Sequence, residues 1–138
     1  MIERTAYRAP FPDIPWHLLT VLAVDDEVLL RNLVEVTMRS QGASVLTAAS
    51  AEEALAVMAT VERIPDLIIT DLDMPGVGGI ELIRSVRAHP GLGQIPILVV
   101  SGSADERLPL AAGASGFLRK PYRRHELLEA AAFSFASR

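Results

Sequence analysis

The amino-acid sequence predicts a doubly wound α/β domain, in which a five-stranded parallel sheet carries helices on both faces. Two observations predict this fold. Short apolar runs recur five times between residues 18 and 119, as expected of strands that are buried on both faces. Helical patterns alternate with these runs, and such an alternation requires parallel crossover connections.

The first strand and helix are predicted within residues 18–42. The run over residues 18–24 is nearly continuous in apolar side chains and stops at Asp25 and Asp26. Gly42 is placed to end the helix that follows, because glycine readily adopts a left-handed conformation. That helix is indicated by apolar residues at helical spacing: Leu30, Leu33, Val34 and Met38.

The second unit combines a short strand over residues 44–48 with a helix that runs to about Thr60. Ser50 and Glu53 have the spacing of a capping box, in which each side chain accepts a hydrogen bond from the other residue's backbone N–H. We therefore expect the helix to begin directly after Ser50.

The third unit begins with the apolar run over residues 67–70, which also ends on an acid, Asp71. Residues 74–79 contain one proline and three glycines and predict a loop. The next helix should end at the break over residues 90–93. Its apolar face is predicted to contain Ile80, Ile83 and Val86.

The last two units are shorter and less regular. Residues 95–100 predict a strand, with Pro96 tolerated near its start. Ser103 and Glu106 suggest another capping box, and Pro109 is expected to end or bend the short helix that follows. The final strand and helix are predicted over residues 115–119 and 123–135.

Residues 1–17 differ from the domain that we place at residues 18–138. Three prolines interrupt any regular element, and three aromatic residues lie among them. We interpret this segment as an extended arm. It is either a disordered tail or an arm whose aromatic side chains pack on the domain or on a partner, and the only tryptophan of the chain, Trp16, favours packing.

Composition limits the function classes. The 138 residues are 50% hydrophobic, which suits one compact domain. A formal net charge of -4 argues against direct binding of nucleic acid or of an anionic membrane. No cysteine is present, no apolar run reaches the ~18 residues of a membrane span, and the first ten residues lack the apolar core of a signal peptide. We expect a cytoplasmic protein.

Polar residues stand where the predicted strands end. Asp25, Asp26, Asp71, Ser101 and Lys120 should face one crevice, because ligand sites of open α/β sheets lie beyond the carboxyl ends of the strands. Taken singly, each of these residues has another explanation: it could be a helix cap, a turn residue, a strand end or a solvated side chain. Their convergence is harder to explain, and Lys120 is the only lysine among 13 basic residues.

Three crowded carboxylates need a counter-charge to remain ionised together. Magnesium is a hard cation that one or two carboxylates commonly hold, together with waters and phosphate oxygens. A lysine beside it can reach a phosphoryl oxygen. A carboxylate nucleophile, a magnesium site, a lysine and a hydroxyl are the groups that phosphoryl transfer onto an aspartate requires.

The chain resembles the CheY-like receiver domains of bacterial two-component response regulators, and the resemblance covers about residues 18 to 135. It rests on four motifs at successive strand ends: Val24-Asp25-Asp26, Asp71-Leu72-Asp73-Met74-Pro75-Gly76, Val100-Ser101-Gly102 and Lys120-Pro121. The resemblance implies the strand order 2-1-3-4-5. It also implies a magnesium-dependent phosphoacceptor that takes its phosphoryl group from a histidine kinase or a phosphotransfer protein.

The resemblance assigns roles to individual residues. Asp71 is implied to be the phosphoacceptor that forms an aspartyl phosphate, Asp26 a direct magnesium ligand and Asp25 a residue acting mainly through bound water. The backbone carbonyl of Asp73 is implied to contact the metal. Ser101 and Lys120 are implied to contact the phosphoryl group, and Phe117 is implied to be the aromatic residue of the conformational switch. The Lys120–Pro121 peptide bond is implied to be cis. Such a domain is not a turnover enzyme, although it assists its own phosphorylation and dephosphorylation.

The sequence departs from the family pattern in two places. The stretch from Ser101 to Gly113 is short and contains Pro109, so we expect a stunted fourth helix. The family's dimer geometry therefore cannot be carried over, and a homodimer is left open. The chain ends after the fifth helix without an effector domain, so we expect output through a protein partner unless the chain is a piece of a longer protein.

Two alternatives remain. A degenerate receiver would keep the fold as an unphosphorylated docking module, although the intact set of site residues argues against it. A haloacid-dehalogenase-like phosphohydrolase also phosphorylates the first aspartate of an Asp-x-Asp motif, here Asp71 and Asp73. That family expects threonine or valine where this chain has Pro75, and its domain is normally larger.

Overall fold

A computed structural model describes residues 13–60, 64–103 and 105–137. Its five strands form one parallel sheet in the order 2-1-3-4-5, as predicted. The strands are β1 (Thr20–Val24), β2 (Ser44–Ala48), β3 (Leu67–Asp71), β4 (Ile97–Ser101) and β5 (Gly116–Arg119).

Five α-helices cover the two faces of this sheet, which confirms the doubly wound α/β fold. They are α1 (Val28–Ser40), α2 (Ala51–Thr60), α3 (Gly79–Ala88), α4 (Arg107–Ala112) and α5 (Arg124–Ala136). Side chains of α2 and α3 pack on one face in a first core cluster, and side chains of α1 and α5 pack on the other face in a second. No helix within the described part of the chain is long and apolar enough to cross a membrane.

The central strands divide their side chains between these two clusters. Leu22 and Val24 of β1 belong to the first cluster, whereas Val21 and Ala23 belong to the second. All residues of β1, β3 and β4 are buried. Burial on both faces explains why these strands are apolar without the alternation of a half-exposed strand.

The chain enters the sheet later than the apolar run predicts. Trp16–Leu18 form a single 3-10 turn, Leu18 is exposed, and β1 begins at Thr20. Trp16 is buried in the second core cluster, and its ring centroid lies 6.2 Å from that of Phe135 on α5. Most of the predicted arm, residues 1–12, lies outside the described residues, so the division at residue 17 stays a prediction.

The helix ends test the predicted caps. Gly42 follows α1 with φ of 97°, the left-handed conformation that was expected. The Ser50 Oγ atom accepts a hydrogen bond from Glu53 N at 3.0 Å, but the Glu53 carboxylate accepts its bond from Ala49 N at 2.6 Å, one residue earlier than a standard capping box. The helix α2 therefore begins where the sequence predicts.

The capping box predicted for Ser103 and Glu106 is wrong. The Asp105 carboxylate instead accepts the hydrogen bond of Arg107 N at 3.0 Å, and Ser103 Oγ accepts that of Asp105 N at 3.1 Å. A short carboxylate two residues before the helix reaches this N–H directly, which places the start of α4 at Arg107.

The fourth helix is stunted, as predicted, with only six residues. The expectation that Pro109 ends or bends it is wrong. Pro109 lies in the first turn of α4, where a missing N–H leaves no helical hydrogen bond unmade. The helix ends at Gly113, whose φ is 119°.

Candidate functional site

Five polar residues converge at the carboxyl edge of the sheet. Asp25 follows β1, Asp71 and Ser101 end the neighbouring strands β3 and β4, and Lys120 follows β5. Asp25, Asp71 and Ser101 are buried, while Asp26 is exposed to solvent. The structure therefore brings together the residues that the sequence placed in one crevice.

The three carboxylates form a compact group. One oxygen from each of Asp25, Asp26 and Asp71 lies within 4.8 Å of the others. The Oδ1 atom of Asp25 accepts a hydrogen bond from Glu27 N at 2.9 Å, and this bond fixes the orientation of its carboxylate at the start of α1. Local backbone contacts thus hold one acid in place while the sheet positions another.

Lys120 lies between two of these acids. Its Nζ atom donates to Asp71 Oδ1 at 3.2 Å and lies 3.6 Å from Asp25 Oδ2. Burial alone would lower the pKa of Lys120, but the carboxylates of Asp71 and Asp25 raise it above its ordinary value. The two carboxylates therefore favour the charged form of Lys120.

The pKa of Asp71 is raised mainly by burial, whereas the pKa of Lys120 is raised by neighbouring charges against the effect of burial. Burial raises the pKa of Asp71 above the ordinary value, Lys120 opposes this rise, and the neighbouring Asp25 and Asp73 add to it. The three acids together carry more negative charge than one ammonium group can neutralise. Their hard oxygen donors and residual charge fit a divalent cation such as magnesium.

Ser101 and Asp73 are linked across the mouth of the site. The Ser101 hydroxyl donates to Asp73 Oδ2 at 3.3 Å and accepts a hydrogen bond from Ser103 N at 3.1 Å. Phe117 on β5 is half-buried against the first core cluster. The peptide bond between Lys120 and Pro121 is cis, the isomer that the resemblance implies.

Sequence reasoning missed two neighbours of the site. Arg31 on α1 donates from Nη1 to the backbone oxygen of Asp25 at 2.7 Å. Tyr122 lines the same small pocket as Asp25 and Asp71, and burial raises the pKa of its phenol. The position of Tyr122, two residues after the sole lysine, is the one sequence signal that could have found it.

Comparison with known proteins agrees with this arrangement. A family model described as "Response regulator receiver domain" matches residues 21–132, which is most of the chain. The chain belongs to this family. As a receiver domain, it has a role in two-component signalling.

Two curated relatives illustrate the similarity. The chain is 36% identical over 112 residues to the phosphate regulon transcriptional regulatory protein PhoB of Pseudomonas aeruginosa, covering 79% of this chain and 48% of that protein. It is 32% identical over 108 residues to the DNA-binding response regulator MtrA of Mycobacterium tuberculosis, covering 78% and 46%. The chain thus spans about half the length of the curated relatives it matches.

Solved structures extend the comparison to the fold. The chemotaxis response regulator CheY4 of Vibrio cholerae superposes with a TM-score of 0.75 at 35% identity, covering 80% of this chain and 93% of that one. A response regulator from Chloroflexus aurantiacus gives a TM-score of 0.79 at 34% identity, covering 86% and 98%. Both comparisons span nearly the whole of the solved chain.

Proposed function

We propose that Asp71 accepts a phosphoryl group from a phosphohistidine of a sensor kinase or a phosphotransfer protein. The observation that carries this proposal is the position of Lys120, whose ammonium group contacts Asp71 beside the cluster of three acids. Asp71 ends a central strand, so its carboxylate faces the crevice from a rigid element.

In the transfer, an Asp71 carboxylate oxygen attacks phosphorus. A P–O bond forms as the P–N bond to histidine breaks, and the electron pair of the broken bond remains on the imidazole nitrogen. Lys120 then moves its contact from the Asp71 carboxylate to a phosphoryl oxygen. The carboxylates of Asp25, Asp26 and Asp71, with the backbone carbonyl of Asp73, would hold Mg²⁺, which when bound offsets the charge of the phosphoryl oxygens.

The switch follows from the contacts of Ser101. A phosphoryl group on Asp71 offers a doubly charged acceptor, which competes with Asp73 for the Ser101 hydroxyl. Movement of Ser101 toward the phosphoryl group frees space for the Phe117 ring to turn, and this turn changes the surface around β5. The two conformations need differ by only a few kcal/mol.

The phosphodonor is proposed to dock on α1. Leu29, Leu33 and Val36 are spaced along one face of this helix and expose 78%, 57% and 65% of their surfaces. The helix begins two residues after Asp26, so a protein bound to this face lies next to the acidic cluster. An apolar stripe at the edge of the site suits the helices of a protein that presents a phosphohistidine.

The proposal places this domain in the cytoplasm, with output through a protein partner. Phosphorylation and hydrolysis are assisted by the site residues, without continuous turnover of a substrate. Relatives that are named as transcriptional or DNA-binding regulators are longer than this chain, so the nature of the output belongs to the proposal.

Acyl-phosphate labelling by a small phosphodonor with Mg²⁺ tests the assignment. The parent should acquire one stable phosphoryl group, which Asp71→Asn removes and the exposed control Asp13→Asn retains. Labelling of the Asp71→Asn variant at the parent's level would contradict the assignment. Continuous phosphate release would support a hydrolase, and absence of labelling in a folded parent would support a docking module.

A further inference from the structure

A groove between α4, β5 and α5 has an apolar floor and an acidic rim. Its volume is about 650 Å³, and its floor includes Leu110, Phe117 and Phe133. Its rim carries Glu106, Glu126 and Glu129, while no lysine or arginine is among the described residues that line it. A chain segment that fits this groove should combine apolar or aromatic side chains with positive charge.

The chain enters the domain near the C-terminal end of α5, the helix that forms one wall of the groove. Trp16 packs against Phe135 near the end of α5, and Ile14 packs on the same core cluster. The groove-lining residues of α5 lie within the eight positions from Glu126 to Phe133, a rise of about 10 Å along the helix. Twelve residues in extended conformation reach up to about 40 Å, so the segment before Asp13 is long enough to traverse the groove.

The composition of residues 1–12 complements the groove. Their charged side chains are Glu3, Arg4 and Arg8, so the segment is positive in a chain whose formal net charge is -4. Tyr7 and Phe11 supply aromatic rings. Pro10 and Pro12 restrict the backbone to extended conformations, which lowers the entropy lost on docking, as in proline-rich segments bound by aromatic grooves.

We propose that residues 1–12 dock into this groove of their own domain, with Tyr7 or Phe11 on the apolar floor and the two arginines on the glutamate rim. The docked segment covers Phe117 and so occupies the surface that another protein would need. This docking does not rest on phosphorylation of Asp71. Docking would remove the exposed side chains of Leu110 and Phe133 from solvent.

Paramagnetic relaxation in the full chain tests the proposal. The sequence contains no cysteine, so Ala6→Cys provides a single attachment site for a nitroxide. Amide resonances of Phe117 and Ala130 should lose most of their intensity, while those of α2 on the other side of the domain should be little affected. Uniformly weak broadening, or broadening confined to other surfaces, would overturn the proposal.

Two further measurements complete the experiment: charge-reversal variants of the spin-labelled chain, and a mixture of isotope-labelled and spin-labelled chains. Arg8→Glu should restore much of the lost intensity at Phe117 and Ala130, whereas Arg84→Glu, an equal change of charge on α3, should not. Equal effects of the two variants would contradict the charge complementarity. Isotope-labelled chains without nitroxide are then mixed with unlabelled spin-labelled chains. Broadening in that mixture would identify a second copy as the occupant and overturn docking within one chain.

Discussion

Lys120 is the single lysine among thirteen basic residues, and its ammonium group contacts one buried carboxylate and lies near another. Lysine presents a compact charge on a slim stem, whereas arginine presents a planar and wider fork. The Lys120 side chain is only 20% exposed, and the carboxylates of Asp25 and Asp71 that it approaches are 9% and 5% exposed. A guanidinium group at this position therefore has to displace a carboxylate or turn outward.

We expect Lys120→Arg to remain folded and to bind Mg²⁺, but to lose most of its phosphorylation or of the conformational response to it. Circular dichroism checks the fold, and labelling by a small phosphodonor checks the reaction. Arg119→Lys, at the exposed neighbouring position, is the matched control and should label normally. A normal labelling rate and a normal shift in Lys120→Arg would show that the lysine has no special role.

Asp26 is the exposed member of the acidic cluster, so its substitution disturbs packing least. Asp26→Asn removes one negative charge from the proposed metal ligands and should weaken Mg²⁺ binding by about tenfold or more, the range found when a metal site loses a supporting group. Titration followed by calorimetry measures the change. Unchanged affinity would place the direct ligand elsewhere.

At the scale of elements, Gly79 is the first residue of α3 and packs closely against the backbone at the end of β3. A Cβ atom at this residue would lie 2.7 Å from the backbone oxygen of Asp71 and 2.8 Å from Leu72 Cα. Backbone atoms cannot move aside as a flexible side chain can, so Gly79→Ala should shift Asp71 and destabilise the domain by about 1–3 kcal/mol.

Thermal or urea unfolding measures the cost of Gly79→Ala. Gly91→Ala is the control, because its nearest neighbour would be His89 Cε1 at 3.6 Å, an ordinary contact. We expect the control to unfold within about 0.5 kcal/mol of the parent, as surface substitutions usually do. Equal stabilities of the two alanine variants would mean that the close approach at Gly79 is relieved without cost.

A substitution in the exposed apolar stripe of α1 tests docking of the phosphodonor independently of the phosphoryl-transfer reaction. Leu33→Glu should reduce transfer from a histidine-phosphorylated protein at least tenfold, because it places a charge in the proposed apolar interface. Labelling by a small phosphodonor should be unchanged, because the acidic cluster is intact. Arg39→Glu, near the far end of α1, is the control. Equal losses with both donors would contradict a docking role.

The sequence predicted most elements because their signals are local or periodic. The acids at the strand ends and the left-handed Gly42 are read directly from neighbouring residues. Arg87 is different, because it donates to the backbone oxygens of Gly93, Ile95 and Gly113, and the last of these lies 26 residues away. No spacing in the sequence marks such a contact, just as helical periodicity did not show that Leu33 faces solvent.

At the scale of the whole molecule, two apolar cores support a site in which mutually repelling carboxylates lie close together. Among described residues, the buried charged groups are Asp25 and Asp71, and both lie at the carboxyl edge of the sheet. The cores formed on either face by α1, α2, α3 and α5 hold the strand ends at fixed positions. The fold therefore keeps the acids close together, even though separation would lower their mutual repulsion.

This arrangement predicts that the site reduces stability in metal-free buffer. Burial raises the pKa of Asp71 despite the opposing effect of Lys120. A carboxyl group whose pKa is raised by folding favours the folded state while it is protonated, below its unfolded pKa, and this contribution is lost as the pH rises through the folded pKa. As the pH rises through the folded pKa, ionisation of Asp71 thus comes to oppose folding.

Asp71→Asn replaces this carboxylate by a neutral group of nearly the same shape, so it should raise the melting temperature at pH 7 by a few degrees. The difference should shrink as the pH falls toward about 4, where the unfolded carboxyl group also becomes protonated. Mg²⁺ should stabilise the parent more than the variant, because binding to the folded state alone raises its stability. A variant that melts below the parent throughout this range, or a difference independent of pH, would show that the contact of Asp71 with Lys120 outweighs the cost of burying its charge.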